Sequence, residues 1–282
     1  MAVNIFEKYG IKEVANVYFE ALESDSANGI EAGDIVLYLD TLKVSTIETT
    51  AENVAAQGGW GNPKLVMWDY GKEINLTLED ALISLESLRF MMGGAIKRSA
   101  AGKEVTVNLS EQGKLETNGV LPKLYDHLTH KEMTVGDDYR WINMTKGTRG
   151  QFIKNPAEDD DREFKTVEGE AGDIVRIFWT QKVSQDDAAV EVTISPDTFP
   201  GTYKVVGDTF MRSEKNGKDE AFQFVIGKAK VLSEVTITLE AEGDPSTFEM
   251  QLNVLRSTNA DGENEMMKLI RYSSDELFKS EN

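Results

Sequence analysis

The chain contains no cysteine. That excludes disulfides, thiolate metal sites and thiol nucleophiles, and it leaves the redox compartment open. Histidine is nearly absent: His127 and His130 are the only two, and neither stands in a pattern that pairs a nucleophile with a base. Basic residues are in deficit, with 30 Lys and Arg against 49 Asp and Glu and a formal charge of −19. Such a chain repels phosphate backbones, so tight nucleic-acid binding is not expected. No window approaches the roughly 20 consecutive apolar residues of a membrane-spanning helix. Met1-Ala-Val-Asn-Ile-Phe-Glu-Lys8 lacks the basic region and apolar run of a secretory signal. The expectation is a soluble chain made in the cytoplasm, with no membrane binding.

What is present is a core-forming composition. Of 282 residues 40% are hydrophobic, with 12 Phe, 8 Tyr and 4 Trp, which argues against disorder. The organising stretch runs from Asp40 to Gly94. Leu42 and Val44 alternate with Lys43 and Ser45, the pattern of a half-buried strand. Gly58-Gly-Trp-Gly-Asn-Pro63 is too rich in breakers for helix or strand. A second strand is predicted from Lys72 to about Glu79, with Ile74, Leu76 and Leu78 on one face. The period then becomes helical through Ala81, Leu85, Leu88 and Met92; Asp80 or Ser84 can cap the start and Gly93-Gly94 the end.

Elsewhere the pattern is strand and turn. Strands are predicted over Val14–Ala21, from Ile35 (Ile35, Leu37 and Leu39 on one face), and over Lys103–Leu109, Tyr139–Asn143, Tyr203–Met211, Phe222–Ile226, Val235–Leu239 and Phe248–Val254. The apolar parity flips between Leu39 and Leu42, which predicts a bulge or bend at Asp40-Thr41. Ile174–Trp179 is a nearly continuous apolar run, as of a strand covered on both faces. Val190, Val192 and Ile194 alternate with polar residues, and Met266–Tyr272 forms a short apolar segment. Residues 110–170 are the least regular; Leu115–Leu128 has helical possibilities, and Glu158-Asp-Asp-Asp161 reads as a solvated loop. Strands at short intervals with turns between them point to an antiparallel sandwich or barrel.

Chemical constellations are scarce. His127-Leu-Thr-His130 can lie on one side of a helix, with Asp126 or Glu132 as further ligands, but ordinary surface histidines explain the pair and no metal is expected. The glycines at 58–61 are not followed by Gly-Lys-Ser/Thr, and no Gly-x-Ser-x-Gly elbow occurs. Trp60, Trp68, Trp141 and Trp179 invite a sugar-platform reading against the commoner one of core or interface packing. No catalytic residue and no cofactor is expected.

Two sets of phrases carry a resemblance. One is Leu42-Lys-Val-Ser-Thr-Ile-Glu-Thr-Thr-Ala-Glu-Asn53 with Gly58-Gly-Trp-Gly-Asn62, Trp68-Asp-Tyr-Gly-Lys-Glu-Ile74 and Leu78-Glu-Asp-Ala-Leu82. The other is Gly201-Thr-Tyr-Lys-Val-Val-Gly-Asp208 with Phe222-Gln-Phe-Val-Ile226, Lys228-Ala-Lys-Val-Leu232 and Leu239-Glu-Ala-Glu-Gly-Asp-Pro245. Together they resemble major tail tube proteins of tailed bacteriophages. The resemblance implies a mainly β fold over residues 1–282: an antiparallel β-sandwich or split barrel with a flanking helix (Leu85, Leu88, Met92). Residues 110–170 then stand as an irregular insertion or small subdomain. It also implies a virion component that forms stacked, hexameric rings around a channel for DNA, with the sheath, tape measure or tail terminator as neighbours. The glycine stretch Gly58, Gly59, Trp60, Gly61 and Asn62, in an open connection from about Thr49 to Tyr70, is the expected contact between rings or subunits. The alternatives are a head decoration protein and a carbohydrate-binding or carbohydrate-hydrolysing module.

Overall fold

The computed structural model describes residues 7–26, 28–116, 122–126, 129–135, 138–152, 167–235, 247–259 and 261–272. The chain divides into two compact units, one formed by 1–96 with 192–282 and the other by 97–191. In chain order the strands are β1 (Tyr9–Ile11), β2 (Asn16–Ala21), β3 (Ile35–Leu39), β4 (Leu42–Gln57), β5 (Lys64–Asp80), β6 (Ala95–Arg98), β7 (Val105–Lys114), β8 (Leu124–Tyr125), β9 (Glu132–Met133), β10 (Tyr139–Asn143), β11 (Thr148–Phe152), β12 (Ile174–Val183), β13 (Val190–Thr193), β14 (Thr202–Ser213), β15 (Asp219–Val231), β16 (Phe248–Val254), β17 (Ser257–Thr258), β18 (Asn264–Glu265) and β19 (Lys268–Tyr272). Among the described residues there is one helix, α1 (Leu85–Met92). The chain is mainly β and its ladders are antiparallel, as its alternating sequence predicts.

The first unit holds a nine-stranded sheet ordered β3-β2-β14-β15-β16-β5-β4, with β1 beside β14 and β19 beside β15. Its end strands, β3 and β4, are neighbours in the chain, separated only by Asp40 and Thr41. Three Cα steps of about 3.8 Å limit the gap to about 11 Å. The sheet therefore rolls back on itself into a split barrel. Asp80 holds this corner: its Oδ1 accepts from Thr41 Oγ1 at 2.5 Å and from the Leu82 amide at 3.1 Å. Period-2 alternation turns Val17, Phe19, Leu76, Leu78, Val205, Phe224, Ile226, Leu252 and Val254 into one core.

The bend predicted at Asp40-Thr41 is present, with Leu39 and Leu42 buried on either side of it, and a second parity flip follows directly. Lys43 is a bulge, since Leu42 pairs with Asp80 while Val44 pairs with Glu79. Val44 is consequently exposed, and Ser45 and Ile47 turn toward the interior instead.

Helix α1 begins at Ser84, whose Oγ accepts from the Ser87 amide at 2.9 Å while Ser87 Oγ accepts from the Ser84 amide at 2.9 Å. It ends at Gly93, at φ 68°, where an added Cβ would lie 2.4 Å from the Phe199 carbonyl carbon. The helix stands where its caps predict, but it is turned on its axis. Ser87, Arg89, Phe90 and Met91 are buried; Leu85 is exposed, and Leu88 and Met92 are half-buried. Phe90 decides the orientation, packing on Phe19 at 4.8 Å and on Tyr203 at 4.3 Å between ring centroids. An aromatic side chain gains from packing against other rings, and Phe90 finds two here. Burial also raises the Tyr203 pKa.

The second unit carries a four-stranded sheet ordered β11-β10-β12-β7. Its core consists of Leu115, Leu124, Tyr139, Trp141, Val167, Val175, Ile177 and Trp179. Gly150 opposes Trp141 and leaves room for the indole, since a Cβ there would sit 2.6 Å from its ring. The apolar run Ile174–Trp179 is covered on one face only: Val175, Ile177 and Trp179 are buried, whereas Ile174 and Arg176 are exposed. Among the described residues of 115–128 there is no helix; Leu124–Tyr125 pairs with Glu132–Met133 as a short hairpin. The acidic run 158–161 and the segment 236–239 lie outside the described residues.

A polar knot closes one end of this unit. Asn143, fully buried, donates from Nδ2 to Asp173 Oδ2 at 2.9 Å and accepts on Oδ1 from the Thr145 and Lys146 amides at 3.0 Å each. Asp173 Oδ2 also accepts from the Glu170 amide at 2.9 Å. The Asn143 amide, that backbone N–H and Lys146 hold the Asp173 carboxyl below its ordinary value of 3.8.

Gly207 lies opposite Phe224, and a Cβ there would meet the ring at 2.1 Å. Gly207→Ala is expected to cost about 1–3 kcal/mol by overpacking, read as a lower melting temperature by circular dichroism. Because the folded-state pKa of Asp173 is depressed, its contribution is present above the unfolded value and is lost as pH falls through the folded one. Stability should therefore drop below about pH 4, and Asp173→Asn should flatten that acid limb in a pH series of denaturant melts.

Candidate assembly surfaces

The connection expected to be open from Thr49 to Tyr70 is instead a continuation of two strands. β4 and β5 stay paired from Leu42↔Asp80 out to Gln57↔Lys64. From Thr49 to Gln57 the ribbon advances about 26 Å at ~3.3 Å per residue. The sequence hid this ladder because both of its faces are exposed beyond Glu48 and Glu73, so no apolar–polar alternation marks it. Its internal glycine is explained by a bulge. Gly71 and Lys72 together oppose Ala51, and Gly71 has φ 60°, the left-handed first position of a G1 bulge.

The tip spans Gly58–Pro63. Gly59 and Gly61 have φ near 83° and 82°, and Asn62 has φ 49°, conformations that glycine and asparagine enter at low cost. The turn is closed by Asn62 N to Gly59 O at 3.1 Å, Gly58 N to Pro63 O at 3.3 Å, and Asn62 Nδ2 to Gln57 Oε1 at 3.2 Å. Trp60 stands at the apex, fully exposed. The five residues Gly58, Gly59, Trp60, Gly61 and Asn62 thus form the end of a long rod.

The ribbon is apolar where water reaches it. Val54 faces Trp68 and Ala56 faces Val66 across the ladder, with Tyr70 two residues beyond Trp68. Val54, Val66, Trp68 and Tyr70 remain 53%, 50%, 55% and 53% exposed, the shelter that a cross-strand neighbour alone provides. Leu65 and Met67 are exposed on the opposite face. An isolated two-stranded ribbon is marginal in water, and exposed apolar surface of this kind marks an interaction site.

The sheet itself ends in two open edges. β3 pairs only with β2 and β4 only with β5, so one side of each strand carries unpaired backbone groups among the described residues. Ile35 and Tyr38 are exposed on β3, and Val44 on β4. Such edges template the addition of further strands.

The tryptophans do not form one platform. Trp60 and Trp68 lie on the ribbon, while Trp141 and Trp179 are core residues of the second unit. His130 is a left-handed turn residue at φ 55° between β8 and β9; His127 lies outside the described residues. Among the described residues no group of three or more His, Asp or Glu side chains is placed to hold a metal, and no helix is long and apolar enough to cross a membrane.

A rolled antiparallel sheet with two unpaired edges and a projecting apolar ribbon presents the kind of surface to which further strands can add. The chain belongs to the YomU/Tube protein family, whose model matches residues 9–269. That membership makes it a structural protein of the phage tail tube. A search among curated proteins found no match.

The ribbon's isolation has a measurable consequence. In the free monomer, amides of 50–57 and 64–72 should exchange with deuterium at least about a hundredfold faster than those of β14 and β15. Mass-spectrometric hydrogen exchange on dilute protein reads this directly.

Proposed function

We propose that copies of this chain close into a ring and that rings stack into a hollow tube through which DNA passes without specific binding. The observation that carries this reading is the β4–β5 ribbon, with its open β4 edge and apolar residues on both faces. The edge strands supply lateral pairing that satisfies backbone groups left bare in one copy. The ribbon, with Trp60 at its end, reaches beyond its own sheet and covers Val54, Val66, Trp68 and Tyr70 against the next ring. A cyclic arrangement of identical contacts consumes every edge, where an open one would not. Six copies per ring is the number that the resemblance implies.

The charge suits a conduit. A wall of net negative sign repels phosphates, so a duplex slides without adhering. The function is mechanical, without a catalytic step or a cofactor. The protein is made in the host cytoplasm and works in the virion tail, beside other tail components such as a sheath, tape measure or tail terminator. Residues 97–191, which contain all of 110–170, are a unit inserted in sequence between the two parts of the other unit.

Electron microscopy and sedimentation of the full chain test the reading. Rings or tubes are expected above a threshold concentration. Val66→Thr with Trp68→Thr should leave the monomer's melting temperature nearly unchanged and remove at least about 2 kcal/mol per contact, raising the threshold about thirtyfold. A chain that stays monomeric at every concentration and salt would overturn the proposal.

A further inference from the structure

The outer face of the sheet in the second unit carries side chains that the tube reading does not use. The inner face is filled by Tyr139, Trp141, Val175, Ile177 and Trp179, so residues of the opposite parity point outward. Two consecutive rungs across β7, β12, β10 and β11 then read Ser110–Phe178–Arg140–Gln151 and Gln112–Arg176–Ile142–Arg149. Three arginines and one aromatic ring fall within two rungs.

That concentration runs against the chain's charge. With 49 acidic residues to 30 basic ones, a surface arginine has many carboxylates to meet. Exposed Arg98 and Arg212 do so, as do half-buried Arg271 and buried Arg89, whereas exposed Arg256 forms no ion pair among the described residues. Arg140, Arg149 and Arg176 are exposed, and among the described residues none of them forms an ion pair. Arg176 donates only to Ser110 Oγ, at 3.1 Å. A groove of about 570 Å³ lies here, lined by Asn108, Ser110, Arg140, Gln151, Phe178 and Thr180. Its size falls in the ~300–1,000 Å³ class of small-ligand sites. Asp138 also lines it and has an interaction of its own.

We propose that this groove binds an acidic saccharide, a sugar bearing a carboxylate or an equivalent anionic group. Half-buried Phe178 offers a flat apolar face to the C–H side of a sugar ring. Asn108, Ser110, Gln151 and Thr180 supply donors and acceptors for ring hydroxyls. The Arg140 guanidinium presents a fork that matches a carboxylate, with Arg176 and Arg149 adding positive potential one rung away. A nucleic acid fits less well. It needs a longer basic track and several stacking rings, and the net charge of the chain opposes it. A second copy of the chain would present a broad surface rather than a single ring that enters a groove.

Calorimetric titration of the full chain with trigalacturonic acid, and with its neutral methyl ester, tests the inference. The acid form should bind, and the ester at least about tenfold more weakly, because only the acid engages the guanidinium fork. Arg140→Gln, on an exposed side chain, should lower affinity for the acid about tenfold without changing the melting temperature. Phe178→Ala should weaken binding of both forms. Binding of the acid should also fall steeply when salt is raised to about 0.5 M. No binding of the acid form, equal binding of the ester, or affinity untouched by both variants would overturn the inference. So would variants that block polymerisation of a chain that binds no saccharide, which would assign the face to contacts between copies. Absence of tubes would sink the tube reading and leave this result unaffected.

Discussion

The backbone of a β-sheet has to pair everywhere or face water, and this chain leaves a long part of that requirement unmet. β4 is 16 residues long and sits at the end of the sheet path, so one side of it is bare from the barrel wall to the ribbon tip. The two-residue corner at Asp40-Thr41 puts it there, by turning the chain from one end strand of the sheet to the other. The core of Phe19, Phe90, Leu76 and Leu252 anchors the inner half of the β4–β5 pair. Beyond Ile74 nothing in the described first unit covers the outer half. The fold stabilises the base of a rod and leaves the rod to be satisfied from outside.

Charge is distributed with a similar division of labour. The net charge of −19 keeps the surface hostile to phosphates. Within the second unit, strand parity gathers Arg140, Arg149 and Arg176 onto one face, away from the carboxylates that engage other arginines. The same unit spends its polar groups inside as well: the knot at Asn143 and Asp173 ties two turns through four hydrogen bonds. Its two tryptophans serve its core, and the aromatic ring left over for a ligand is Phe178, which the alternation within Ile174–Trp179 turns outward.

Much of the strand content was legible because one buried face forces alternation. Ile74, Leu76 and Leu78, or Tyr139 and Trp141, announce their strands by that rule alone. The helix was legible from Ser84 and Gly93, since capping is local chemistry. Its inward face was not, because eight residues are too few for periodicity to outweigh one phenylalanine that fits between Phe19 and Tyr203. The ribbon was illegible for the opposite reason. Residues 49–57 and 64–73 have water on both faces, so the signal by which strands are recognised is missing, and the glycines at its tip and bulge read as a loop. The arginine face was invisible as well, since its members are spread over 36 residues between Arg140 and Arg176 and meet only through strand register.

By itself the sequence determined whatever depends on neighbouring residues: strand and turn alternation, the helix caps, the breaker-rich stretch from Gly58 to Pro63, the acidity, and the absence of thiol chemistry. These are settled within a few residues, where side-chain size and backbone preference act directly. Only the tertiary structure decided which strands pair, that β3 and β4 end the same rolled sheet, and which side chains share a face. Those outcomes depend on hydrogen bonds and packing between segments far apart in the chain, and a residue's nearest neighbours carry no record of them.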